Sequence, residues 1–221
     1  MEIEDTMDSS LAMPASINIE EVANTLTHGL GLLLSILGLG WLLSAALISE
    51  DICKICSATV FGSTLIILYA ASTFYHGMQD PKTKQTLKIV DHCAIYALIA
   101  GTYTPFALVT LSETWGWTLF SIVWSLAFVG ILFKIFFIDK WPILSTLFYL
   151  GMGWMIVIAS EAFIEAMPME GLYLIVAGGL SYSFGAIIYV LEKPVFHHAI
   201  WHMFVIGGSM CHYFAILHYV V

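Results

Sequence analysis

Arginine is absent from this sequence, and seven lysines supply all of its fixed positive charge. Set against 16 acidic residues, they leave a net charge of −9. Nucleic-acid binding needs a basic face that neutralises phosphates, and this balance excludes one. Charge of either sign is scarce. Only 10% of residues are charged, 60% are hydrophobic, and mean hydropathy is +0.91. A soluble domain has about 25% charged residues. Too little polar surface exists here to clothe a water-soluble globule, which excludes a soluble enzyme, a secreted toxin core and a disordered chain. The four cysteines, Cys53, Cys56, Cys93 and Cys211, are too few and too scattered for a disulfide scaffold. Cys53-x-x-Cys56 has a redox or metal spacing but stands without a second pair. The first 21 residues hold Glu2, Glu4, Asp5, Asp8, Glu20 and Glu21, with no lysine and no apolar core. No cleavable signal peptide is therefore expected. Residues 1–19 read as an acidic flexible tail, and 20–221 as a single domain.

Long apolar runs dominate what remains. A helix needs about 20 apolar residues to cross a bilayer's hydrocarbon core. Seven candidate spans meet that length: His28–Ile48, Ala58–His76, Asp91–Leu111, Trp115–Phe133, Ile143–Phe163, Leu172–Leu191 and His198–Val221. The fold class expected is all-α, a seven-transmembrane helix bundle. Trp115, Trp117, Trp141, Tyr149 and Tyr173 fall near span ends, as interfacial aromatics should. Gly151-Met152-Gly153 and Gly178-Gly179 are expected to let helices approach closely. Pro105 lies inside the third span, where a kink is tolerated. Lys82, Lys84, Lys88, Lys134, Lys140 and Lys193 fall on the side shared by the N-terminus and the even-numbered loops, and only Lys54 falls opposite. By the positive-inside rule the N-terminus is cytoplasmic and the C-terminus outside.

Ionisable groups within spans are costly, so each needs a role. His28 begins the first span, His76 ends the second, Asp91 and His92 begin the third, and His197, His198 and His202 lie at the start of the seventh. The lysine-derived topology brings all of them to one membrane depth; only His212 and His218 lie elsewhere. His198 and His202 are four apart, so they point the same way with about 6 Å of rise between them. Two imidazoles so placed can share a metal ion. His76 can add a third nitrogen, and three protein ligands leave the open position of a catalytic zinc site. Asp91 could hold a bound water, and Ser72, four before His76, faces with it. Each feature has a plainer reading: two interfacial histidines, a small packing serine bonded to its own helix, an Asp91–Lys88 pair worth little. His92 and His197 are expected on other faces, meeting headgroups, and Glu161 and Glu165 at the interface. Ahead of the first span, Glu21, Asn24 and His28 recur at one-turn spacing. They read either as a lead-in on the membrane surface that closes the polar site or as a simple helix start.

The ordered set Glu21-x-x-Asn24-x-x-Thr27-His28, Ser72-x-x-x-His76, Asp91-His92-Cys93-Ala-Ile-Tyr96 running on to Gly101-Thr-Tyr-Thr-Pro105-Phe106, and His198-x-x-x-His202 resembles the haemolysin III proteins. These are the bacterial branch of the progestin and adiponectin receptor family. The resemblance covers nearly the whole chain after about residue 20 and implies a seven-helix bundle with a cytoplasmic N-terminus. It implies zinc held by His76, His198 and His202, with Asp91 contacting the zinc water and Ser72 beside the first ligand. It also implies the bacterial inner membrane as location. The long N-terminal domain of the eukaryotic receptors is missing, so partners that bind there are not expected.

Three functions follow as expectations. The first is a zinc-dependent hydrolase acting on a lipid amide or ester, with Asp91 and Ser72 as candidate catalytic residues; the resemblance points to ceramide in the receptor branch. The second is a non-catalytic regulator of membrane homeostasis or fluidity with a structural zinc. The third is the pore that the family name suggests, disfavoured because polar groups cluster at one end. A retinal protein is set aside because no lysine falls within an expected span, and an ion transporter because only His212 is near mid-depth. Expected partners are membrane lipids, with no nucleic acid and no identifiable soluble protein.

Overall fold

The computed structural model describes residues 18–111 and 113–221. Most of the tail expected over residues 1–19 lies outside that set. The described residues form helices and turns, with no strand among them. The helices are α1 (Ile19–Ile48), α2 (Ile52–Gly77), α3 (Pro81–Pro105), α4 (Glu113–Phe137), α5 (Pro142–Gly153), α6 (Ser160–Ala166), α7 (Met169–Leu191) and α8 (His197–Tyr219). A π-helical stretch, Phe106–Leu111, extends α3, and a 3₁₀ stretch, Met155–Ala159, joins α5 to α6. Counted with these extensions, seven helical segments are long and apolar enough to cross a membrane. The chain is a multi-pass membrane protein.

Polar side chains set the starts of three spans. Asn18 accepts from the Glu20 and Glu21 amides, Asp51 from those of Cys53 and Lys54, and Asp80 from that of Thr83. Each satisfies amides that a helix start leaves unpaired. The Thr83 amide and hydroxyl both donate to Asp80 and hold its carboxyl below the usual carboxylate range. The Asn18 cap makes the first span longer than expected. α1 runs unbroken through Glu21, Asn24 and His28, so these residues belong to the membrane helix itself rather than to a separate surface lead-in.

Consecutive helices pack as neighbours from α1 to α4 and from α7 to α8, and α1 also packs on α8. The third span is the most buried, followed by the second and seventh. The outer faces carry large apolar side chains such as Leu37, Trp41, Phe136, Leu147 and Phe184, all exposed. Their contact with lipid costs nothing, whereas in water such a surface would drive association. Trp115, Trp117, Trp141 and Tyr173 are exposed as expected. Tyr149 is not: it turns inward against Tyr96 and donates to the His92 carbonyl at 3.2 Å.

The fifth span is interrupted where the sequence suggests a continuous helix. The break falls at Gly153–Trp154. Backbone groups freed inside a membrane must find partners in the protein. Tyr103 provides them, its hydroxyl donating to the Gly153 carbonyl at 2.7 Å and accepting from the Ile156 amide at 2.9 Å. Gly151 and Gly153 permit no close approach, because nothing lies within 4 Å of where a Cβ would sit. Gly178 and Gly179 behave as expected, lying against His212 and Trp154. Tyr103→Phe keeps the ring but takes the partner from a carbonyl and an amide within the fifth span. It should lower unfolding stability by about 1–2 kcal/mol, measured as a reduced melting temperature of the detergent-solubilised protein.

Candidate metal centre

Helical spacing assembles the site. On α2, Ser72 and His76 are one turn apart and both buried. On α8, His198 and His202 share a face, His202 buried and His198 half-buried. The three imidazoles form a triangle with ring centroids 4.9 Å (His76–His198), 5.1 Å (His76–His202) and 4.7 Å (His198–His202) apart. One ligand atom from each lies within 4.8 Å of the others. Three histidines from two helices, 122 residues apart in the chain at their nearest, are thus close enough to hold one metal ion.

α1 decides which nitrogens are free. His76 Nδ1 donates to Glu21 Oε2 at 2.7 Å, and the Asn24 side-chain amide lies 3.5 Å from the same nitrogen. His202 Nδ1 donates to Thr27 Oγ1 at 3.0 Å and to the Asn24 carbonyl at 3.2 Å. With both Nδ1 atoms engaged, Nε2 is the lone-pair nitrogen of each ring. His76 Nε2 is buried without any hydrogen-bond partner, an expensive state for a polar atom unless something is meant to meet it. An imidazole whose far nitrogen is held by a carboxylate or carbonyl is the usual form of a metal ligand. The donor set therefore fits a metal. Lys84 completes the outer layer, pairing with the other Glu21 oxygen at 3.1 Å, so α1, α2 and α3 are joined through one carboxylate.

The sequence places His28 at the depth of the cluster and one turn from Asn24, but carries no sign of its contact with His202. It stacks flat on His202, centroids 3.4 Å apart at 13°, and meets Tyr69 edge-on. Neither of its nitrogens has a partner.

A cavity of about 330 Å³ opens beside the cluster. His198, His202, Ser72 and Asp91 line it, and its remaining wall is mostly apolar. Asp91 is buried beside Ser72, whose hydroxyl makes no well-aligned hydrogen bond. None of the three clustered imidazoles pairs with Asp91; its one histidine neighbour is His92, at 3.7 Å. Asp91 does not pair with Lys88 either, which reaches Asp139 instead at 2.6 Å. His92 departs from expectation: it lines the cavity and donates from Nδ1 to the Lys88 carbonyl at 2.8 Å. Lys134 departs too. It falls within the fourth helix rather than beyond it, only 2% exposed, so a lysine does lie inside a span. Deeper in the bundle, Ser209 bonds Tyr69 and Tyr182, and His212 donates to the Ile175 carbonyl. Polar groups of this kind give no periodic signal in so apolar a sequence. Glu161 and Glu165 are exposed, and Cys53 and Cys56 are exposed free thiols.

A seven-span helical bundle with a buried three-histidine cluster beside an internal cavity defines a polytopic membrane protein with a candidate metal centre. The family model for Haemolysin-III related proteins matches residues 17–213. The chain belongs to the haemolysin III family. It is 49% identical to the Hemolysin-3 homolog of Bacillus subtilis (strain 168) over 202 residues, covering 91% of this chain and 95% of that one. It is 46% identical to Hemolysin-3 of Bacillus cereus, covering 91% and 92%. The human Monocyte to macrophage differentiation factor is 29% identical over 215 residues, covering 90% and 84%. No solved structure matches the chain.

The three-histidine geometry predicts a metal content of about one ion per chain, lost in a His198→Ala/His202→Ala double variant and read by elemental analysis of purified protein. Glu21→Gln should keep the stoichiometry but weaken metal affinity roughly 10–100-fold in chelator competition.

Proposed function

We propose that this protein is a zinc-dependent hydrolase of an acyl-lipid amide or ester, set in the bacterial plasma membrane with its lysine-rich end in the cytoplasm. One observation carries the proposal: His198, His202 and the buried carboxylate of Asp91 border a largely apolar cavity, and His76, its Nε2 without a partner, lies against both of those histidines. His76, His198 and His202 would hold the metal. Zinc, when bound, supplies Lewis acidity that polarises a carbonyl and brings the pKa of water towards 7.

The chain's own residues do the rest. Glu21, Thr27 and the Asn24 carbonyl fix the ring orientations, so the ligand set is organised before substrate arrives. The apolar cavity wall takes an acyl chain and excludes water from it, leaving the scissile carbonyl at the histidine end. Water adds to that carbonyl, and an Asp91 carboxylate oxygen takes its proton. The same oxygen returns the proton to the departing nitrogen or oxygen as the acyl bond breaks, leaving a fatty acid and an amine or alcohol. Ser72, with a hydroxyl free to donate, steadies the carboxylate or the developing negative charge.

A structural role for the metal is the second reading. Its support is that the histidines join α2 to α8 while their outer bonds reach α1, so a cation would add a cross-link between helices that already pack together. The two readings differ in what Asp91 does. If it is the proton carrier, Asp91→Asn should lose turnover of a fluorogenic acyl-lipid by about 10²–10⁴-fold while elemental analysis finds its metal unchanged. Metal-replete wild type that turns over no acyl amide or ester, yet loses thermal stability on chelation, would leave only the structural reading.

Orientation has its own test. Cys53 and Cys56 are exposed at the end of the bundle opposite the six lysines. With the lysine-rich end cytoplasmic, a membrane-impermeant maleimide should label them in intact cells; labelling only after the cells are broken would reverse the assignment.

A further inference from the structure

The cavity holds three charged groups that the hydrolytic reading leaves unused: Lys88, Lys134 and Asp139. Lys134, in the last turn of α4, is 2% exposed and lines the cavity. Among the described residues no carboxylate lies within ion-pair distance of its ammonium, and Asp139 attracts it only from farther off. A buried cation without a counter-charge is costly. The carboxylates lining the cavity meet that need only in part. Asp139 is taken by Lys88 at 2.6 Å and by Gln85 at 3.2 Å, and Lys88 holds its carboxyl below the usual carboxylate range. Asp91 sits at the histidine end beside Ser72. Lys88 itself also lines the cavity. Two ammonium groups therefore border the lysine-rich end of an apolar cavity with one carboxylate, Asp139, between them, an excess of one positive charge.

We propose that Lys134, with Lys88 beside it, receives the phosphate of a lipid headgroup, so that the site takes an anionic phospholipid rather than a neutral lipid. The acyl chain follows the apolar wall while the phosphate rests between the two ammonium groups, the one place in the cavity where an oxyanion replaces a missing partner. A neutral headgroup would leave two ammonium groups to the single carboxylate of Asp139. This inference rests on the cavity being the lipid site proposed above, but it concerns binding and requires no turnover.

Full-length protein in zwitterionic nanodiscs should be titrated with dioleoyl phosphatidic acid, oleate, dioleoylglycerol and an oleoyl ceramide, reading bound lipid by native mass spectrometry. Phosphatidic acid should bind best. Lys134→Gln should weaken it about tenfold, the size of one charged hydrogen bond, and leave the neutral lipids unchanged. Lys134→Arg should retain binding, and exposed Lys140→Gln should change nothing. If Lys134→Gln fails to fold, Lys88→Gln must show the same selective loss. Equal binding of neutral and phosphorylated lipids, or equal loss of both in the variants, overturns the headgroup assignment while the lipid site stands. Preference for oleate overturns phosphate in favour of carboxylate, and displacement by inorganic phosphate alone would reassign the lysines to a free anion. Wild type that binds none of the four lipids removes the lipid site as well.

Discussion

A polar ring inside a membrane-spanning bundle must be satisfied by the protein, because lipid offers it nothing. In this chain that constraint is met by α1. Glu21 accepts from His76, and Thr27 with the Asn24 carbonyl accepts from His202. These bonds hold α1 against α2 and α8, and they leave the opposite ring nitrogens together and without partners of their own. The centre thus depends on a helix that contributes none of its three clustered imidazoles.

The same constraint explains the irregular parts of the bundle. The fifth span breaks at Gly153, and Tyr103 from α3 bonds both sides of the break. The third span turns π-helical after Pro105, whose ring nitrogen cannot donate to the preceding turn. The interruption in the fifth span lies along the cavity wall, where Gly153 and Trp154 both face inward. Irregular backbone at membrane depth is tolerated where it is buried in protein or lines a cavity, so the helix defects and the cavity are two aspects of one packing arrangement.

Charge is distributed by the same economy. Glu21 serves both His76 and Lys84, and Asp139 serves Lys88 and Gln85. Nearly every ionisable group near the histidine end has a named partner. The exceptions at that end stand out for that reason: the free nitrogens of His76 and His28, the Asn24 side-chain oxygen and the Ser72 hydroxyl. His28 and Ser72 border the cavity, and His76 lies against His198 and His202, which do as well. These unmet polar groups converge on one space, and the proposed lipid site rests on that convergence.

The sequence by itself determined the solvent, the number of spans and which helix ends carry the clustered histidines. Runs of apolar residues fix spans because backbone groups in lipid must bond within their own helix, and one-turn spacing fixes which side chains share a face. It therefore placed His76, His198 and His202 at one level and singled out Glu21 and Asn24. Tertiary structure alone decided how the helices rotate about their axes. That rotation turned His92 and Tyr149 inward, stacked His28 on His202 and buried Lys134, because α4 continues a turn past where the apolar run ends. Apolar sequence carries no periodicity with which to orient such a helix; when nearly every face is hydrophobic, only packing against neighbours selects the one that looks inside.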